Sequence, residues 1–554
     1  MQSSGKSAKN NFVMQASILA IAGIITRVIG LLYRSPLLGV IGNTGNGMYS
    51  SAYTYYTIIL LISSYSIPSA ISKVIAQKLA VKEYNNAHRM FKCALMYVLV
   101  VGGIGSMVLF FGARLFVEGE TISVLRVFAP TIFVYGILGV LRGYFQAHRS
   151  MVQTSFSQII EQIVNAVVSV GAAYLFIKIG MGTMEVPTDK TLATKRAVYG
   201  AMGSALGTGA GVLSALIIMF LLYLLNRKVI MARVRKDVTH EVESYGSMLK
   251  EITFIVTPFI LSTAIYNLSA SVNNKIFTDF YAHFKGIASS EIQEIYGFLG
   301  GDALVISNIP IAFASAMASA MIPSIASHIA AGEKEEAKNK IALATKVTMI
   351  ISIPCAVGLF SLGKPITSLL FPSLNGQGLE YAARLLMVLS VSVIFYALST
   401  LNSSILQGIG KVNTPIVNAG IALVIQTLVA CIFLFGFDLG IYALAIANIV
   451  YAGMMAFMNQ HATKKALGYK QEIVKTFLLP LVSAAVMGLV SYPLYKLVLV
   501  LTGSMRISVL PALVVAVIAY FVMMIVIKGL TEEELRVIPK GGIIIRVAKK
   551  CHLM

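Results

Sequence analysis

Acidic side chains are scarce in this sequence. Asp and Glu together number 23 in 554 residues, and they are dispersed along the chain. A membrane enzyme acting on lipid-linked sugars needs clustered carboxylates, often Asp pairs that hold a metal, or a His constellation in an interfacial loop. Neither is present, and His88, His148, His240, His328 and His461 all fall at the ends of apolar stretches. No enzymatic activity is expected and no catalytic residue is assigned. Cysteine is equally sparse: Cys93, Cys355, Cys431 and Cys551 lack any short spacing, so neither a metal site nor a disulfide framework is indicated. No Walker motif occurs, which excludes ATP as the direct driver. The closest approach, Gly200 to Gly211 (GAMGSALGTGAG), lacks the Lys-Ser/Thr and reads as close helix packing. No cofactor is expected.

Charged residues of either sign make up only 12% of the chain, against 57% hydrophobic. That balance excludes a soluble globular domain and predicts an all-α polytopic membrane protein. Apolar runs long enough to span a bilayer recur throughout. They predict about fourteen transmembrane helices, at 12–41, 50–72, 90–113, 122–146, 155–177, 198–225, 252–276, 298–329, 341–362, 380–408, 413–436, 439–461, 476–501 and 507–527. The first run has no small-residue cleavage motif, so it is expected to be retained as a span. In a soluble protein a net charge of +21 would suggest nucleic acid; here it reports topology, and no nucleic-acid partner is expected. Most of the 44 Lys and Arg fall in the even-numbered connections and at the two ends, which predicts both termini in the cytoplasm. The basic connection from Lys178 to Arg196 runs against this trend.

An internal repeat organises the chain. IPSAISKVIA (Ile67 to Ala76) closes the second span and IPSIASHIAA (Ile322 to Ala331) closes the eighth, 255 residues on. LRGYFQ (Leu141 to Gln146) and ILQG (Ile405 to Gly408) echo each other in the fourth and tenth. Six spans separate each pair, and an even number preserves orientation, so the repeat is parallel. The expected organisation is an N-terminal lobe of six spans (1–225), a cytoplasmic interlobe linker (226–251), a second six-span lobe (252–464), and two further helices with a tail (465–554). The linker carries Arg227, Lys228, Arg233, Arg235 and Lys236 before Glu241 and Glu243, as an interfacial helix at an anionic leaflet would.

Against this apolar background a few polar residues stand out. Arg27 lies about fifteen residues into the first run, where a cation costs roughly 2.5–3.5 kcal/mol or more. Gly23, Arg27, Gly30 and Arg34 are spaced by 4, 3 and 4, which places them on one helix face, small and cationic. Such a face suits a hydrated cavity for an anion, with glycines admitting a close neighbour. Arg34 either joins that cavity or snorkels to the interface. Glu161, with Gln158, Gln162 and Asn165, forms a polar stripe on the fifth span, where it could neutralise an embedded arginine. Asn267, Asn273, Asn274 and Lys275 line part of the seventh, and Asp302 lies near the start of the eighth. Cross-helix hydrogen bonding is the first reading of these groups, except for Asp302, which reads as a substrate contact. Arg27, Arg34, Asp302 and Glu161 are the substrate-binding candidates; Gly23, Gly30, Asn267 and Asn274 are cavity candidates.

TRVIGLLYR (Thr26 to Arg34), the following IGNTGNGMYS, IPSAISKVIAQ (Ile67 to Gln77), LRGYFQ, SQIIEQIVN (Ser157 to Asn165) and ILQGIGK (Ile405 to Lys411) resemble the polysaccharide-transporter branch of the multidrug/oligosaccharidyl-lipid/polysaccharide (MOP) exporter superfamily. Within it the chain is most similar to the MurJ-like lipid II flippases and the related stage V sporulation protein B, in the same order over almost its whole length. The resemblance implies a MOP-type V-shaped bundle in a bacterial cell membrane. It implies flipping of undecaprenyl-pyrophosphate-linked peptidoglycan precursor (lipid II) by alternating access, with first-span arginines meeting the pyrophosphate. Arg27 matches the first of these, and Arg34 matches the second with a shift of one residue, since Tyr33 holds the strict position. An acid expected early in the second span is missing from Met48 to Ala52, and Asp302 is followed by Ala303 where the pattern has arginine. The implied partners are the lipid-linked oligosaccharide and membrane lipids, the implied state a monomer, and the implied drive membrane potential or a cation. The alternatives are a flippase for another undecaprenyl-linked polysaccharide unit and a cation-coupled drug exporter.

Overall fold

The computed structural model describes residues 22–530, apart from 24, 66, 149, 236, 238–241, 331 and 470. The start of the first expected span, Lys236, His240, Glu241 and the tail with Cys551 lie outside the described residues. All regular structure among the described residues is helical. Eleven helices there are long and apolar enough to cross a bilayer, or twelve when the bent pair Ile25–Leu32 and Arg34–Ser64 is taken as one. The 35-residue helix Tyr245–Asp279 covers the range of the seventh expected span. The protein is an all-α, multi-pass membrane protein.

Contacts divide the chain into two compact units, Met1–Gly297 and Phe298–Met554. In the first unit, α1 (Ile25–Leu32) meets α2 (Arg34–Leu60) at a bend of 46°. The bend has a covalent cause. Pro36 has no N–H to offer the Leu32 carbonyl and its ring crowds that oxygen. The flanking bonds survive, Tyr33 N–H donating to Ile29 O at 3.2 Å and Leu37 N–H to Tyr33 O at 3.1 Å. A second break falls at Gly42, whose φ of 69° and ψ of 178° belong to glycine alone. The connection expected over 42–49 therefore contracts to a single residue.

Beyond a π-helical turn at Leu61–Tyr65 come α3 (Ile67–Ala80), α4 (Tyr84–Phe111), the short α5 (Ala113–Phe116), α6 (Thr121–Ala147), α7 (Met151–Met181), α8 (Lys190–Arg235), α9 (Tyr245–Asp279) and α10 (Ser289–Tyr296). Residues 227–235, expected within an interfacial linker helix, continue α8 without a break. The range of α9 was expected to open the second lobe. Its Met248, Ile252 and Val256 instead enter the core formed by Ile71 and Ile75 of α3, Phe91 of α4 and Met219 of α8. Polar contacts reinforce that packing: Lys78 pairs with Glu243 and lies 3.8 Å from Glu251, and the Arg89 guanidinium sits 4.3 Å from the Tyr245 ring centroid.

Four glycine contacts, in two helix–helix seams, set the helix positions that matter for the site. Gly143 of the LRGYFQ motif packs on the backbone of Pro68 in the IPS motif; a Cβ there would lie 2.7 Å from the Pro68 carbonyl. Gly203, Gly207 and Gly211, one per turn of α8, lie against Ala172, Ser169 and Glu161 of α7, where Cβ atoms would come within 2.4, 2.3 and 2.6 Å. The glycine-rich segment of the sixth span is a close-packing seam.

The second unit contains α11 (Leu304–Ala330), α12 (Lys334–Ser361), α13 (Gly363–Leu370), α14 (Gly376–Gly408), α15 (Asn413–Cys431), α16 (Ile441–Leu467), α17 (Leu479–Thr502) and α18 (Met505–Val526). Met487 of α17 and Tyr520 of α18 share a core with Ile350 and Ile353 of α12 and Ala397 of α14. Buried amides bridge its helices. Asn418 donates to Asn459 and Asn459 to Ser403, both at 2.8 Å, tying α15, α16 and α14 together.

Candidate functional site

In the first unit the candidate residues gather around α2. Arg27 is exposed on α1, beside exposed Ile25, Val28 and Leu32. Nothing lies within 4 Å of the position a Cβ would take on Gly23, whereas Gly30 faces α7, with Gln162 Oε1 at 3.9 Å. The continuous face expected for Gly23, Arg27, Gly30 and Arg34 requires correction. The bend at Tyr33 puts Arg34 on a different helix axis, and its cause, Pro36, is two residues further along.

Arg34 opens α2, partly buried, with its Cζ 5.9 Å from the ring centroid of Tyr49. That geometry is a cation–π contact. Tyr49 is 2% exposed, and its hydroxyl lies 3.2 Å from Thr208 Oγ1 of α8. Tyr49, Tyr53 and Tyr56 recur at helical spacing and surround Phe128 of α6, with centroid separations of 5.4, 5.9 and 4.8 Å. This aromatic base fixes the wall on which Arg34 rests.

Glu161 turns inward from α7 and meets Arg142 of α6, whose terminal guanidinium nitrogen donates to the carboxylate at 2.7 Å. Arg142 Nε also donates to Ser157 Oγ at 3.0 Å, and Ser157 in turn donates to the Thr154 carbonyl at 2.8 Å. With Arg142 4% exposed, the pair is a buried, charge-assisted interaction. The embedded arginine that pairs with Glu161 is thus Arg142. Arg142 was legible only as part of a motif, although a cation within an apolar span is the same signal that marks Arg27.

The opposite face of α2 meets α9. Ser51 Oγ donates to Asn274 Oδ1 at 3.1 Å, and the Tyr55 hydroxyl donates to the Ser271 carbonyl at 3.3 Å. Asn274 is 2% exposed and serves this helix–helix seam, while Asn267 is exposed on the same helix. Near the end of α9, Lys275 lies 2.6 Å from Asp279 and 3.5 Å from Glu118. Glu118, Asp279 and His283 bring one ligand atom each within 4.8 Å of one another. The Lys275 ammonium already supplies positive charge to that group. Asp302 belongs to the second unit, buried at 1% exposure in a π-helical turn at Gly297–Ala303.

Chemically, the first unit presents Arg34 on an aromatic wall and an exposed Arg27 on the preceding helix, while the inward carboxylate of α7, Glu161, is already paired with Arg142. Such a surface could receive an anionic ligand.

The profile of the family described as Lipid II flippase MurJ matches residues 88–510. The chain is 27% identical over 495 residues to Lipid II flippase MurJ of Bacillus subtilis (strain 168), covering 85% of this chain and 86% of that protein. It is 22% identical over 549 residues to Stage V sporulation protein B of the same organism, covering 97% and 100%. Among solved structures it is similar to Lipid II flippase MurJ in an inward closed conformation, with a TM-score of 0.64, 14% identity, and coverage of 91% of this chain and 97% of that one. This last likeness is one of fold.

Proposed function

Because the chain belongs to the lipid II flippase MurJ family, we propose that it carries lipid II, the undecaprenyl-pyrophosphate-linked peptidoglycan precursor, across the cytoplasmic membrane by alternating access. The observation that carries this reading is Arg27. It is an exposed guanidinium on an apolar helix, and the one carboxylate of the adjoining stripe, Glu161, is held by Arg142. A cation retained at that depth needs an anion to meet, and a diphosphate matches its bidentate fork. Arg34, over Tyr49, assists on the far side of the bend. The polar headgroup would travel through a hydrated chamber while the prenyl tail stays in lipid, lodged in a lateral groove beside the last two spans.

In this proposal both termini are cytoplasmic, spans one to six and seven to twelve are copies of a parallel repeat, the working state is a monomer, and membrane potential or a cation drives the cycle. Asp302 is proposed as a further substrate contact. The similarity to Stage V sporulation protein B over nearly the full length of both chains favours one alternative, a flippase for another undecaprenyl-linked glycan. A proton- or cation-coupled drug exporter is less well supported, because Glu161, its best carboxylate, is committed to Arg142.

The test is complementation of a bacterium depleted of its own lipid II flippase, paired with an assay for lipid II exposed on the outer face. Restored growth and restored outer-face lipid II are expected. Correctly inserted protein that restores neither would point to another undecaprenyl-linked glycan.

A further inference from the structure

Three tyrosines of the aromatic wall are treated differently by the fold. Tyr49 and Tyr56 are each 2% exposed, while Tyr53, between them on the same face of α2, is 36% exposed. Its ring is nonetheless held. It stacks on Tyr49 at 5.8 Å and 14°, tilts against Tyr56 at 5.7 Å and meets Phe128 edge-on at 5.9 Å.

Position along the helix argues against an interfacial anchor. Tyr53 is eleven residues beyond the break at Gly42, about 16 Å along the helix at roughly 1.5 Å per residue, or about half the thickness of a bilayer core of about 30 Å. Tyrosines of the aromatic belt sit at the headgroup level instead. Nor are the surroundings those of a lipid-facing ring: Tyr53 stacks on the Tyr49 ring, which also carries the Arg34 guanidinium. Arg34 lies eight residues before that break, on its other side, and its guanidinium still reaches the Tyr49 ring. Arg34 rests on Tyr49 and Tyr49 on Tyr53, each step under 6 Å.

From this arrangement we infer that Tyr53 is a stacking platform for a pyranose ring of the substrate headgroup, placed one sugar along from the diphosphate that Arg27 and Arg34 receive. The inference rests on the proposed flippase reading and adds the group that reads the glycan. A sugar presents a flat face of C–H groups, and a rigid aromatic ring gives it contact area at little entropic cost. The diphosphate and prenyl chain are common to every undecaprenyl-linked substrate, so a contact to the first sugar is where discrimination begins.

The test compares binding of lipid II and of bare undecaprenyl diphosphate to the full-length protein in nanodiscs. The wild type is expected to prefer lipid II. Y53L should lose roughly three- to tenfold in lipid II affinity with undecaprenyl diphosphate unchanged, and Y53F should bind both like the wild type. The chain contains no tryptophan, so Y53W introduces a single indole reporter at the site. Its emission should shift with lipid II and stay constant with undecaprenyl diphosphate, which decides the matter even where Y53L fails to fold. Equal weakening of both ligands in Y53L, no weakening, or an indole indifferent to lipid II would each overturn the platform while leaving the flippase reading intact. A wild type that binds undecaprenyl diphosphate yet shows no preference for lipid II would instead strike at the flippase reading itself.

Discussion

Arg142 of α6 and Glu161 of α7 meet at 2.7 Å inside the first unit, with side-chain exposures of 5% and 14%. Truncating one partner of such a pair strands the other charge, which typically costs about 3–5 kcal/mol, whereas replacing both is close to neutral. Arg142→Leu should therefore lower thermal stability in detergent sharply, and the Arg142→Leu/Glu161→Leu double variant should recover most of the loss. If the double variant is no more stable than the single, the pair does not act as a unit.

The α7–α8 seam sets where Glu161 stands. A Cβ on Gly207 would lie 2.4 Å from Ser169 Cα, a backbone atom that cannot swing aside. Gly207→Val should overpack the seam and destabilise by roughly 1–3 kcal/mol. Gly171 on α7 has nothing within 4 Å of the corresponding position, so Gly171→Val is the matched control and should leave the melting temperature nearly unchanged. Comparable losses in both would mean that helix propensity, not the seam, is responsible.

Much of this fold was legible from hydrophobic runs, because a bilayer leaves a spanning chain little choice but helix. The glycine seam was legible for a similar reason, since Gly203, Gly207 and Gly211 repeat at helical spacing on an apolar segment. What escaped was the consequence of single backbone residues. Pro36 bends the first span and so breaks the face shared by Gly30 and Arg34, and Gly42 compresses a connection expected to be eight residues into one. Spacing arguments assume a straight axis, and neither residue declares its effect until the hydrogen-bond ladder is traced. The partner of Glu161 was missed differently: pairing is a tertiary property, and sequence distance gave no reason to choose Arg142 over Arg27. The packing of α9 with the first unit was likewise invisible, because it depends on side-chain contacts with α3 and α4 and not on the period of the repeat.

Pro36 offers a way to separate shape from charge. Pro36→Ala restores an N–H to the Leu32 carbonyl and removes the ring clash, so the α1–α2 angle should fall well below 46° while stability holds or rises. Arg27 would then swing relative to Arg34, and transport should drop with every charge intact. Spin-label distances across the bend check the geometry and a flipping assay checks the consequence. A straightened α1–α2 bend with wild-type transport would show that the relative placement of the two arginines is unimportant.

Arg27 is the residue on which the anion-binding reading depends most. It is exposed and makes no ion pair among the described residues, so Arg27→Ala should leave folding and insertion untouched and abolish flipping. Lysine at this position keeps the charge but not the planar fork that grips a diphosphate through two parallel hydrogen bonds, so Arg27→Lys should restore function only in part. Arg34→Ala should be milder than Arg27→Ala, because Arg34 lies beyond the bend and its guanidinium is already engaged with Tyr49. Growth of cells carrying each variant as the sole flippase, with membrane levels measured in parallel, ranks the three. Full growth with Arg27→Ala would remove the cationic centre from the mechanism, and a deeper defect for Arg34 than for Arg27 would move that centre across the bend to the head of α2.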